Sequence, residues 1–182
     1  AQTYALTGLG GIGKTQVAVE YAYRYRDEYA AVLWVRATNR ETVVADFVSL
    51  ARLLDLPNCD AQDQVAVLAV VSRWLAQNAN WLLIFDNADD LPLAAEFLPP
   101  GGRGHLLLTT RSQATGSLAE SIAVEKMGLD EGMHLLLRRT KFLARDQSLD
   151  LLPAEVRTQA GAIIRELAGL PLAIDQAGAY IE

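Results

Sequence analysis

Apolar residues along this chain fall into two alternating rhythms: short continuous runs, and longer stretches in which they recur every three or four positions. The runs at 4–7, 31–35, 81–85, 105–109 and 121–125 predict five strands, and the opening residues 1–7 already read as strand. Between the runs, Val17, Ala18, Tyr21, Ala22 and Tyr25 share one helical stripe. Val43, Phe47, Leu50, Ala51 and Leu54 form a second, with Thr38 or Asn39 as its cap, and Val65, Leu68, Ala69 and Leu75 form a third. Pro57-Asn58-Cys59-Asp60 and the Pro/Gly cluster at 99–104 punctuate the pattern. Strand and helix alternating in this way predict an α/β fold, a three-layer sandwich with a parallel five-stranded sheet covered by helices.

After Met127 the rhythm becomes wholly helical. Helices are expected at 130–143, 153–168 and 171–181, the last two opening on Pro153 and Pro171, where proline suits a first turn. The chain therefore divides into a sheet domain, 1–127, and a small helical appendage, 128–182. The segment 145–152 is the least patterned. A strand at one end and a helix still running at the other suggest a fragment of a longer protein.

Composition narrows the function classes. Hydrophobic residues make up 51% and charged residues 21%, the balance of a chain that buries a core. A net charge of −6 argues against a surface for nucleic acid or anionic membrane, which needs clustered Lys and Arg. Cys59 is the single cysteine, so an intrachain disulfide and a thiolate zinc site are both excluded, and a reducing cytoplasm is the expected location. No stretch reaches the roughly 20 apolar residues that span a bilayer. His105 and His134 lack metal-ligand spacing, and Trp34, Phe47 and Trp74 are expected in the packing.

The chemistry concentrates between the first strand and first helix, in Gly8-Leu9-Gly10-Gly11-Ile12-Gly13-Lys14-Thr15, followed by Gln16. Gly, four residues, then Gly-Lys-Thr is the Walker A spacing in its required context. Glycines let backbone N–H groups approach phosphates, and the helix N-terminus adds its dipole. Lys14 is placed to bridge the β- and γ-phosphates, and the Thr15 hydroxyl to coordinate Mg²⁺. The plainer alternative is a glycine turn that only joins strand to helix. Partitioning ATPases carry an extra lysine where Leu9 stands.

Two further strand ends join this loop. Leu82-Leu83-Ile84-Phe85-Asp86 is an apolar strand ending in a carboxylate, the Walker B pattern, and Asp86 would hold Mg²⁺ through its water shell. Such an acid is also common as a turn or cap. Asn87 occupies the place of a catalytic base and is not one. Asp89 and Asp90 either position a water or cap the helix that starts at Leu91-Pro92, capping being favoured. Arg111, just past the fourth strand, lies at the carboxyl edge where open parallel sheets bind ligands. There it would report the γ-phosphate; otherwise it is a solvated loop arginine.

With Walker A, residues 82–90, Thr109-Thr110-Arg111 and Gly169-Leu170-Pro171-Leu172 in this order, nearly the whole chain resembles the NB-ARC domain of STAND signalling ATPases. Asp86-Asn87-Ala88-Asp89 is similar to the bacterial and fungal members whose nucleotide domain precedes tetratricopeptide repeats. The resemblance implies strand order 5-1-4-3-2, with helices after Met127 as the first ARC subdomain and Pro171 near base and ribose. It also implies an adenine-contacting segment upstream and a winged-helix sensor downstream, neither of them in this chain. An Asn-Lys-x-Asp guanine motif does not occur, which favours ATP and ADP. The reading that follows is a slow switch: ADP holds a closed form, ATP with Mg²⁺ engages Arg111, and the full-length protein self-associates. A conventional motor or phosphotransferase, and a scaffold that binds nucleotide without hydrolysis, are the alternatives.

Overall fold

The computed structural model describes residues 2–57, 64–99, 101–144 and 147–182. Cys59 and most of the break expected at 57–60, together with Ala1, Pro100 and Arg145, lie outside the described residues. The chain forms two compact units, one of residues up to Gly8 with Lys14–Ala123, the other of Leu9–Gly13 with Val124–Glu182.

The first unit holds β1 (Gln2–Thr7), α1 (Lys14–Arg24), β2 (Ala31–Arg36), α2 (Arg40–Leu53), α3 (Gln64–Gln77), β3 (Ala79–Asp86), α4 (Leu91–Phe97), β4 (Arg103–Thr110) and β5 (Glu120–Ala123). All five strands run parallel in the order β2-β3-β4-β1-β5. That is the expected 5-1-4-3-2 order, with β4 between the strands that carry the two Walker motifs. β1 starts before residue 4 and β5 occupies 120–123 instead of 121–125.

Alternation along the strands sorts the side chains. Ala5, Leu33, Val35, Leu83, Phe85, Leu106 and Leu108 share one cluster with Phe47, Val71, Leu75, Ala94 and Phe97 from α2, α3 and α4. Phe47 sits 6.2 Å from Phe85 and 5.7 Å from Phe97, tilted in each pair. Each fully buried side chain of this size contributes about 1.5–3 kcal/mol. Trp81, fully buried, donates its indole N–H to the Leu75 carbonyl at 2.9 Å. Trp34 and Trp74, expected in the packing, are only partly buried: Trp34 lies on the edge strand β2, and Trp74 leans on the cluster from α3. Tyr4, Leu6, Leu82 and Leu107 line a hollow of ≈ 510 Å³ walled by Val17 and Tyr21 of α1.

The second unit packs α5 (Leu129–Arg139), α6 (Ala154–Glu166) and α7 (Pro171–Ile181) around Met133, Leu136, Leu137, Ile164 and Ile174. α5 ends four residues before the expected 143, because Lys141 turns into the left-handed region at φ 61° while the Leu143 amide returns to the Leu137 carbonyl. α6 begins at Ala154, with Pro153 as the extended residue before it, and ends when Ala168 takes φ 51°. Among the described residues no helix is long and apolar enough to cross a membrane.

Candidate functional site

Parallel pairing brings the ends of β1, β3 and β4 to one edge: Thr7 is in register with Thr110, and Phe85 with Leu108. Asp86, the last residue of β3, is thereby set beside Thr109. The Thr109 hydroxyl donates to Asp86 Oδ1 at 2.7 Å, and the Thr15 hydroxyl from α1 donates to the same oxygen at 2.8 Å. The Thr109 Oγ1 also accepts the Asn87 N–H at 2.9 Å. Asp86 and Thr109 are buried, so these bonds offset the cost of placing a carboxylate there. Asn87 turns the chain out of β3 at φ 59°, a conformation asparagine adopts more readily than most side chains. The position after Asp86 is therefore shaped by the turn as well as by chemistry.

Lys14 opens α1, is buried, and donates from Nζ to the Gly8 carbonyl at 2.9 Å. Burial lowers its pKa below the ordinary lysine range; Asp89 and Asp86 oppose that shift, and Arg111 adds to it. Gln16, in the first turn of α1, is exposed.

Asp89 and Asp90 separate. Asp90 caps α4, its Oδ1 accepting the Leu93 N–H at 3.0 Å. Asp89 does not cap. Its Oδ1 accepts the Arg111 backbone N–H at 2.7 Å, and its Oδ2 accepts Arg111 Nε–H at 2.6 Å, with Nη2 also 2.6 Å away. Buried enough to favour the neutral acid, Asp89 is nevertheless held below the usual carboxylate range by these bonds to Arg111. Arg111 itself is 69% exposed at the side chain and is held at one edge by Asp89.

The rest of the glycine loop belongs to the helical unit. Ile12 is buried, Gly10 is exposed, and Gly11 and Gly13 take φ 73° and 98°. The Leu172 amide, in the first turn of α7, donates to the Gly11 carbonyl at 3.2 Å. A Cβ on Gly11 would stand 3.1 Å from the Leu172 Cβ, so both φ and contact require glycine. Pro171 is the first residue of α7, as its missing N–H allows. Gly169 lies so close to Met127 that a Cβ would come 2.3 Å from that carbonyl, and Met127 N–H donates to Gly169 O at 3.0 Å. Sequence reasoning assigns no role to the contacts of Leu172 and Thr109; Thr109 had a signal, a hydroxyl ending the apolar run beside the Walker B strand.

The Thr15 hydroxyl and the Asp86 carboxylate, 2.8 Å apart, are hard oxygen donors, the kind that suits Mg²⁺ together with phosphate and water. Among the described residues no group of three or more His, Cys, Asp and Glu gathers to hold a metal by protein ligands alone, as soft or zinc-type sites would.

Residues 1–112 match the AAA domain family. A nucleotide-binding leucine-rich repeat (NLR)-like protein of Hyaloscypha variabilis is 32% identical over 203 residues, covering 99% of this chain and 20% of that protein. Among solved structures, a STAND protein with a tetratricopeptide repeat sensor from Pyrococcus horikoshii superposes with TM-score 0.56 at 14% identity, over 95% of this chain and 26% of its own. The Aeropyrum pernix ORC2 protein, solved as ADPNP-ADP complexes, gives 0.55 at 14% identity, over 100% and 62%. This chain thus spans a fifth of the length of its NLR-like relative and about a quarter of the STAND protein. The structural likenesses establish the fold, and with the NLR-like match they agree with the NB-ARC resemblance.

Proposed function

This chain belongs to the AAA domain family, and we propose that within it the chain serves as the ATP- and ADP-binding switch domain of a larger, NB-ARC-like signalling protein. The observation that carries this reading is the Thr15–Asp86 hydrogen bond, which joins the end of Walker A to the end of Walker B at 2.8 Å. In this reading the loop 8–15 receives the phosphates, and Lys14 neutralises β- and γ-oxygens. Thr15 would ligate Mg²⁺ directly, Asp86 would hold it through water, and Pro171 would lie near base and ribose. A bound Mg²⁺ would supply positive charge that offsets that of the phosphates. Residues 128–182 serve as the ARC1-like part.

Hydrolysis is slow in this proposal, because Asn87 is not a base and the next acid, Asp89, is committed to Arg111. Exchange of ADP for ATP, self-association of the full-length protein and a cytoplasmic setting complete the reading, with effector and sensor parts elsewhere in that protein. The NLR-like and STAND names of the relatives support signalling, and the ADPNP-ADP complexes of ORC2 support adenine.

Single-turnover phosphate release from Mg²⁺·ATP tests it. A rate on the order of 10⁻³ s⁻¹, abolished by Lys14→Ala, is expected of a switch without an assisting partner. Turnover at tens per second would point to the motor reading instead, and no release above background to the scaffold.

A further inference from the structure

Two arginines at strand ends are clamped by the same device. At the end of β2, Asp46 of α2 accepts the Arg36 backbone N–H at 2.8 Å, Nε–H at 3.0 Å and Nη2–H at 2.6 Å. Just past β4, Asp89 takes the corresponding three groups of Arg111. The device fixes an arginine at both its backbone and its guanidinium, removing the rotamer freedom that a long exposed side chain otherwise keeps. What differs is the neighbourhood. β2 is the outer strand, whereas Arg111 follows the central strand β4, one residue beyond Thr110 and two beyond the Thr109 that bonds Asp86. Lys14 feels the charges of both Asp89 and Arg111.

We propose that Asp89 is a positioning residue for triphosphate recognition: by holding Arg111 through Nε and Nη2 it presents the remaining Nη1 edge to a γ-phosphate. The inference rests on the nucleotide-binding reading above and assigns to Asp89 a role different from both water activation and helix capping. Because the carboxylate grips the backbone N–H as well, it stays in place when an anion arrives. The clamp pre-orients Arg111 and does not compete for it. A preset donor loses less freedom on binding, so the gain falls on ATP, which alone offers a γ-phosphate to this edge.

The test measures Mg²⁺·ATP and Mg²⁺·ADP affinities for the unaltered chain and for Asp89→Asn, Asp89→Glu, Arg111→Ala, the double variant Asp89→Asn/Arg111→Ala, and Asp46→Asn, with the unfolding midpoint of each. The ATP-to-ADP affinity ratio is expected to fall about three- to tenfold in Asp89→Asn, the span of one immobilised side chain. It should recover in part in Asp89→Glu and fall no further in the double variant than in Arg111→Ala. Asp46→Asn lowers the unfolding midpoint only, leaving the ratio as it was. A ratio that rises in Asp89→Asn means competition and overturns the proposal; so does an unchanged ratio, or an effect that persists when Arg111 is absent. If the unaltered chain binds neither nucleotide, the functional reading fails together with it. If it binds both and Arg111→Ala alone shifts the ratio, only the role of Asp89 is lost.

Discussion

Asp86 and Asp89 stand three residues apart at the end of one strand, yet the fold treats them oppositely. Asp86 is buried and satisfied by neutral hydroxyls, from Thr15 on one side and Thr109 on the other. Asp89 is a third exposed and satisfied by a cation. Hydroxyls bond a carboxylate without carrying a countercharge, while an acid engaged by guanidinium has its charge offset by its partner. Spacing along the sequence does not separate these roles. The left-handed turn at Asn87 does, by sending Asp86 inward and Asp89 toward Arg111.

The largest effect is expected at the buried acid. Asp86→Ala strips two hydroxyls of their acceptor, so denaturant unfolding should show a loss of about 2–3 kcal/mol. The same variant should lose the Mg²⁺ dependence of nucleotide binding. Thr109→Val probes one arm of that network: it removes a donor to Asp86 and the acceptor of the Asn87 N–H, and should cost about 1–2 kcal/mol in the same assay. An Asp86→Ala protein as stable as the parent would erase the contrast between the two acids.

Acid titration sharpens the other side. The Asp89 pKa is lowered in the folded chain, so its pairing contributes stability that is fully present above the unfolded carboxylate pKa of about 3.9 and is lost as pH falls through the lower, folded value. Asp89→Asn should therefore flatten the unfolding midpoint below about pH 4 and leave it little changed at pH 7, where an exposed pair is worth about 0–1 kcal/mol. Asp46 is likewise lowered by Arg36, and Asp46→Asn should show the same acid signature.

Much of this is legible in the sequence. Period and punctuation place the strands, since β3 and β4 are continuous apolar runs bounded by Asn80, Asp86 and the glycines before His105. The strand order comes through family resemblance, because no local pattern encodes which strand neighbours which. Walker A and Walker B name Lys14, Thr15 and Asp86, and the fold unites Lys14's neighbour with the acid as their spacing implies. Capping chemistry is right for Asp90 and wrong for Asp89, because a cap is local whereas the Arg111 pairing spans 22 residues and depends on β3 lying beside β4. Leu172 reaching Gly11 is longer in range still and leaves no signal in either segment.

Calorimetric titration of the chain with Mg²⁺·ADP and Mg²⁺·ATP, beside the Lys14→Ala variant, is the most direct test of nucleotide binding at the loop. Binding of both nucleotides, weakened about a hundredfold by loss of the phosphate contact proposed for Lys14, is the expected result. Equal affinity in the parent and in Lys14→Ala would place the nucleotide somewhere other than residues 8–15, and would contradict the function assigned to the Thr15–Asp86 pair.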